Sequence, residues 1–97
     1  MAPTRIQRLV WSVGMSTFVR YYDVFADENL SNQQVIERLR GDITDKSQNS
    51  RTSHARTIFR EGLQIQALEL IADSKRTDDE TIRGANKLLG AIRRTSL

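Results

Sequence analysis

Apolar residues recur along this chain at spacings of three and four, which is typical of helices that bury one face. The pattern predicts a first helix over Thr4 to Val13, ended by Gly14. A second predicted helix begins near Ser16 and ends around Asp27, where an Asp-Glu-Asn run indicates a turn. Each segment has one apolar stripe: Ile6, Leu9, Val10 and Val13 in the first, and Phe18, Val19, Tyr22 and Phe25 in the second.

Ser31 begins the third predicted helix. Its hydroxyl can accept an N–H from the first turn, and Gln34 lies three residues on, as in a capping box. This helix is expected to end at Gly41 and to bury Val35, Ile36 and Leu39. Residues 42–49 are polar and lack a helical period, so they are predicted to form a loop.

The longest predicted helix begins at Ser50 or Thr52 and reaches about Asp73. Gly62 lies inside it, and a glycine in a helix costs about 1 kcal/mol relative to alanine. Three outcomes are consistent with that position. The glycine kinks the helix, divides it in two, or lets a neighbouring backbone approach closely.

The last predicted helix begins at the capping box Thr77-Asp78-Asp79-Glu80 and ends with Arg93 and Arg94 at the negative end of its dipole. No segment alternates like a strand, and no Asn-Gly or Asp-Gly turn indicates a hairpin. The 97 residues are therefore predicted to form one all-α domain over 1–97, a small bundle of four to six helices. Residues 1–3 and 95–97 are expected to fray.

Residue types that commonly carry out chemistry are scarce in this sequence. The chain has no cysteine and one histidine, His54, which excludes disulfides, thiolate zinc sites and two-histidine metal sets. The five glycines are scattered and form no phosphate-binding loop. We therefore expect neither catalysis nor a metal or cofactor. No apolar run approaches the roughly 18–20 residues that span a bilayer, so we expect a cytoplasmic protein with no membrane partner.

The distribution of charge is more informative than the net charge of +3. From Lys46 to Arg60 there are four basic residues and no acidic one. Because helical residues follow one another at about 100°, most polar side chains here project from one side. Their types bind phosphate oxygens and base edges, so this face is predicted to bind nucleic acid, DNA rather than RNA. A solvated face without function is the alternative. The candidate contacts are Lys46, Arg51, Ser53, Arg56, Thr57, Arg60 and Gln64.

Two neighbouring segments resemble parts of a helix-turn-helix domain. Leu30-Ser31-x-x-x-Val35-x-x-x-Leu39 is similar to its first helix, and Ser50-Arg51-Thr52-Ser53-His54-Ala55-Arg56 is similar to the start of its recognition helix. The resemblance covers about residues 30–62 and implies a small DNA-binding regulator of transcription, with charge reversal at Arg56 and Arg60 abolishing binding without unfolding. It departs from the family's pattern in the turn. About eight to ten residues separate Gly41 from Ser50, where three or four are usual.

A protein–protein module, acting as an adaptor, inhibitor or antitoxin, is the alternative function. Thr57-Ile58-Phe59-Arg60-Glu61-Gly62 fits the pattern Ser/Thr-x-x-x-Glu-Gly/Asn and resembles the inhibitory helix of Fic-family antitoxins. That resemblance implies that Glu61 obstructs nucleotide placement in a partner enzyme. The last helix also offers small and apolar positions for a homodimer, at Gly84, Leu88 and Ala91.

Overall fold

The structure is a computed structural model that describes residues 3–39 and 45–95, apart from the side chains of 45–47 and 95. Seven helices form this part of the chain. No strand occurs in those ranges, so the all-α prediction is confirmed, although the expected four to six helices were too few. The helices are α1 (Arg5–Val13), α2 (Met15–Arg20), α3 (Tyr22–Ala26), α4 (Asn32–Leu39), α5 (Asp45–Arg60), α6 (Gln64–Ala72) and α7 (Asp79–Thr95).

The first helix begins and ends where its sequence predicts. The backbone N–H of Gln7 donates to the Thr4 hydroxyl at 3.3 Å, and the Gln7 side chain accepts from the Thr4 backbone at 2.8 Å. This reciprocal box satisfies two backbone donors that the helix itself leaves free. Gly14, with a φ of +93°, ends α1 in a conformation that other residues rarely adopt.

The second predicted helix is divided at Tyr21 into α2 and α3. This segment is rich in aromatic and β-branched residues, which are weak helix formers. The division allows Phe18, Tyr22 and Phe25 to pack together with Phe59 of α5. The ring centres of Tyr22 and Phe59 lie 5.0 Å apart, so this aromatic cluster joins α2 and α3 to the centre of the fold.

The capping box at the start of α4 is confirmed. The Gln34 backbone N–H donates to the Ser31 hydroxyl at 3.2 Å, and the Gln34 side chain accepts from the Ser31 N–H at 2.8 Å. Val35 and Leu39 are fully buried, and Ile36 is half-buried. The predicted end at Gly41 lies outside the described residues.

The prediction of a loop over 42–49 is wrong for residues 45–49, which form the first turns of α5. Positions 42–44 lie outside the described residues. The loop was predicted because no apolar stripe is visible there, and the structure gives the reason. Gln48 and Thr52 take the inward positions, with only 2% and 1% of their surfaces exposed. A helix whose buried face begins with polar side chains has no hydrophobic period to detect.

Gly62 divides the long predicted helix in two. Its φ of +71° is left-handed, and the Leu63 N–H donates to the Ile58 carbonyl at 2.9 Å. The Gly62 N–H donates to the Phe59 carbonyl at 3.2 Å. These two bonds form a Schellman motif, with apolar Ile58 and Leu63 at the positions that usually touch across it.

The last helix begins one residue later than its sequence suggests. Asp78, not Thr77, is the cap, because the Thr81 N–H donates to the Asp78 carboxylate at 3.2 Å. Thr81 and Ala85 are buried together with Leu89, and Ile82 and Ile92 are half-buried. Arg93 and Arg94 lie in the last turn, as predicted.

Helix α5 lies at the centre of the fold and packs against α1, α3, α4 and α6. Helix α7 packs against α6 and α2 on another side of the molecule. The core between these helices includes Val10, Phe18, Leu39, Ile58 and Leu68, all fully buried. Within the described ranges, no helix combines the length and apolarity that a bilayer crossing requires.

Candidate nucleic-acid interface

The outward face of α5 is polar and has no acidic side chain between Lys46 and Arg60. Asn49, Ser53 and Arg60 are exposed, and Thr57 is half-buried beside them. These four residues are spaced by four, four and three, so they share one side of the helix. The Thr57 hydroxyl donates to the Ser53 carbonyl at 2.9 Å within α5.

Arg51, a predicted contact, points into the molecule. Its Nη1 donates to the Val13 carbonyl at 3.2 Å and to the Thr17 hydroxyl at 2.8 Å. Val13 is the last residue of α1, where unpaired carbonyls form the negative end of the helix dipole. Arg51 therefore joins α5 to the junction of α1 and α2, and its guanidinium is occupied within the chain.

Arg56 lies near the outward face but reaches sideways to the connection between α3 and α4. Its Nη1 donates to the Asp27 carbonyl at 3.0 Å, and its Nη2 donates to the Leu30 carbonyl at 2.5 Å. The planar fork of a guanidinium suits such a pair of acceptors. Arg56 thus holds in place the segment that leads into the Ser31 cap.

An open groove of about 570 Å³ lies beside this face, between the α3–α4 connection and the end of α5. Tyr22 and Phe59 contribute aromatic surface to it, and burial raises the pKa of the Tyr22 hydroxyl, with a further contribution from Asp23. Arg56, Arg60 and Gln64 line the same groove. Gln64 therefore remains near the two arginines even though it belongs to α6.

The predicted contacts thus fall into three groups. Ser53, Thr57 and Arg60 lie on the outward face, and Gln64 borders the groove. Arg51 and Arg56 donate to backbone carbonyls within the chain. The Lys46 backbone belongs to α5, but its side chain lies outside the described residues.

Glu61, which the Fic-family resemblance assigns to an inhibitory helix, follows the end of α5. Its carboxylate forms an ion pair with Arg5 at the start of α1. The side chain is therefore engaged within the chain and lies at a turn.

A second basic surface was missed in the sequence. Arg83, Lys87 and Arg94 are exposed along α7, opposite its buried Ala85 and Leu89. Their spacing of four and seven places the three residues on one side of a helix, so the sequence contained the signal for this second surface. The Arg94 Nε donates to the Gly90 carbonyl at 3.2 Å, which keeps this side chain along its own helix.

The small positions proposed for a dimer seam on α7 are partly used within the chain. A Cβ built on Gly84 would lie 2.6 Å from Cγ1 of Val19, so this glycine permits the close approach of α2. Leu88 is half-buried against the core, and Ala91 is exposed. Gly84 therefore serves the packing of the monomer.

Comparison with protein-family models, with curated protein sequences and with solved structures found no match to this chain. Among the residues described, no three carboxylate, imidazole or thiol groups gather as ligands for a metal ion would. The exposed polar and basic side chains of α5 and α7 are therefore the basis for assigning a function.

Proposed function

We propose that this chain is a non-catalytic, cytoplasmic regulatory module that binds DNA through the outward face of α5. The observation that supports it is the run of Asn49, Ser53, Thr57 and Arg60 along one side of that helix without an acidic neighbour. The run extends about 16 Å along the axis. Hydroxyl, amide and guanidinium groups are the side chains that contact phosphates and base edges.

The packing of α4 against α5 also supports the proposal. The two helices pack against each other, as the first and recognition helices of a helix-turn-helix do.

We propose different roles for the three arginines of α5. Arg60 is exposed, so we propose that it bonds to DNA directly. Arg51 and Arg56 position α5 relative to its neighbours and act on DNA binding only through that geometry. The exposed stripe of Arg83, Lys87 and Arg94 provides a second surface for phosphate groups.

Fluorescence anisotropy with a labelled mixed-sequence duplex tests this proposal. We expect binding with a Kd of about 1–100 µM, which weakens steeply between about 50 and 200 mM salt because counterions are released from DNA. Arg60→Glu should weaken binding at least tenfold, whereas Arg8→Glu makes the same charge change at an exposed position of α1 and should have a much smaller effect. Equal effects of the two variants, or no binding at the lower salt concentration, would contradict the proposal.

A protein partner is the second candidate, and one observation favours it: Trp11 is exposed over 49% of its surface. Tryptophan is enriched in the residues that dominate protein interfaces. An adaptor, inhibitor or antitoxin of this kind, or a homodimer, would lose much less affinity as salt rises than a DNA complex would. The salt dependence therefore separates the two candidates.

A further inference from the structure

Trp11 is the only tryptophan of the chain and its most exposed large apolar side chain among the described residues. It lies on α1 away from the buried stripe, so it contributes little to the core. Ile65, at 39%, is the other large apolar residue with an exposed side chain there. Burial of apolar surface stabilises folding, and about half of the Trp11 surface is left without that contribution.

Two open grooves meet at Trp11. One, of about 610 Å³, extends between α1 and the end of α6, and the other, of about 360 Å³, extends toward the start of α2. Both are lined by Trp11, Met15 and Arg76. Leu70 adds a further apolar wall to the larger groove. The indole therefore lines two hollows, and Met15 is its apolar neighbour in both.

The rim of this surface is basic where it meets the α6–α7 connection. Lys75 and Arg76 are exposed, and neither forms an ion pair with a described residue. The Arg76 backbone N–H donates to the Ser74 hydroxyl at 3.1 Å, which fixes this connection beside the groove. Asp73 is the one acidic residue that lines it. Two cations without an ion-pair partner among the described residues, beside a hollow walled in part by Trp11, Met15 and Leu70, complement a ligand that combines apolar and anionic groups.

We propose that Trp11 and its two grooves are a docking site for a protein segment that presents a bulky apolar side chain flanked by carboxylates. The apolar side chain would pack against Trp11 and Met15, and the carboxylates would pair with Lys75 and Arg76. Tryptophan, methionine and arginine are the residue types enriched in the centres of protein interfaces. A nucleic acid fits this surface less well, because two cations beside an aspartate neutralise few phosphates.

Selection from a displayed library of short random peptides tests the site, with depletion on the Trp11→Ala variant. Peptides that survive should contain an aromatic or large aliphatic residue and an excess of Asp and Glu. The strongest of these, synthesised without tryptophan, should shift the emission of Trp11 to shorter wavelength, because binding removes the indole from water. Trp11 is the sole tryptophan, so the signal reports on this site alone.

Variants then separate the two parts of the site. With the same peptide carrying a fluorescein label, Trp11→Ala should weaken binding at least about 30-fold, as loss of an interface hot spot does. Ile65→Ala removes the other exposed apolar side chain and should leave affinity unchanged. A Lys75→Glu, Arg76→Glu double variant should weaken binding about tenfold. Circular dichroism on each variant establishes that it is folded.

Four results would overturn the proposal. The selection could return no peptide that depends on Trp11, or the enriched peptides could be basic. The protein could also self-associate in a way that Trp11→Ala abolishes. Finally, an oligothymidylate could shift the Trp11 emission more strongly than the peptide does. The proposal is independent of DNA binding by α5. Trp11→Ala should leave the anisotropy titration with duplex DNA unchanged, and Arg60→Glu should leave peptide binding unchanged, so the two can fail separately.

Discussion

Arg56 Nη2 lies 2.5 Å from the carbonyl oxygen of Leu30, and this bond joins the middle of α5 to the residue before the α4 cap. The same guanidinium donates to the carbonyl of Asp27 at 3.0 Å. One side chain of α5 therefore bonds to both ends of the connection between α3 and α4. Hydrogen bonds that involve a charged group are worth about 1.5–3 kcal/mol, more than neutral ones.

We therefore predict that Arg56→Ala lowers the free energy of unfolding by about 1.5–3 kcal/mol. Arg56→Lys should recover only part of the loss, because an ammonium lacks the fork that holds both carbonyls. Arg60→Ala is the matched control four residues along the same helix, and its cost should be within about 0.5 kcal/mol. Urea unfolding followed by circular dichroism measures all three. Equal costs at the two arginines would show that the bonds of Arg56 add nothing.

This assignment changes how the proposed DNA interface has to be tested. Charge reversal at both Arg56 and Arg60 was expected to abolish binding without unfolding. Because Arg56 holds the α3–α4 connection, its reversal would disturb the fold itself and confuse the result. Arg60, which is exposed, can be changed without that consequence.

The sequence predicted the helix ends better than it predicted the site, for a physical reason. A cap is a local arrangement of three or four residues, so the box of Ser31 with Gln34 was predicted from spacing alone. The box of Thr4 with Gln7 has the same spacing but was not predicted. The partners of an arginine are set by tertiary structure. Nothing near Arg51 in the sequence indicates that the Val13 carbonyl, 38 residues earlier, accepts its hydrogen bond.

The start of α5 shows a second limit of periodicity. Gln48 and Thr52 occupy buried positions that a hydrophobic pattern assigns to apolar residues. Predictions from that pattern therefore began α5 too late in the sequence. The outward residues Ser53 and Arg60 were correctly placed because exposure needs no partner.

Two glycines of α7 should respond in opposite ways to alanine. A Cβ on Gly84 would approach Val19 Cγ1 to 2.6 Å, whereas a Cβ on Gly90 would meet only Arg94 Nη2, at 3.9 Å. Gly84→Ala should destabilise the fold by about 1–3 kcal/mol through overpacking. Gly90→Ala should stabilise it by up to about 1 kcal/mol through helix propensity.

Combining Gly84→Ala with Val19→Ala tests whether that contact is the cause. The double variant should cost less than the sum of the two single variants, because Val19→Ala removes Cγ1, with Cγ2, and frees the space that the new Cβ needs. Thermal unfolding of the wild type, the two single variants and the double variant completes this double-mutant cycle. Strict additivity would place the strain of Gly84→Ala somewhere other than the α2–α7 contact.

The Schellman motif at Gly62 leads to a third prediction. A Cβ there has no neighbour within 4 Å, so space is not the constraint, but the φ of +71° is costly for L-residues. Gly62→Ala should lower stability by about 1–2 kcal/mol. In a domain of this size each kcal/mol corresponds to about 4–8 °C in Tm. Gly62→Asn should cost less, since asparagine tolerates the left-handed region, and equal losses for both variants would contradict this account.

Acid should weaken the start of α7 through Asp78. The Thr81 hydroxyl lowers the pKa of this carboxyl, as does the Thr81 backbone N–H, and the folded state therefore binds a proton less readily than the unfolded chain. The direction of the pH effect on stability follows from that difference in proton binding. The stabilisation is present above the usual aspartate pKa of about 3.9 and disappears as the pH falls through the lower pKa of the folded state.

Asp78→Asn keeps an acceptor at the cap but has no carboxylate to protonate, so its stability should fall less steeply than that of the wild type below about pH 4. Asp79→Asn removes one negative charge from the same turn while retaining the carboxylate that accepts from Thr81. It should preserve the steep dependence of the wild type. Urea midpoints measured from neutral to acid pH compare the three proteins. If Asp78→Asn and Asp79→Asn lose stability in parallel, the cap bond is not the source of the acid sensitivity.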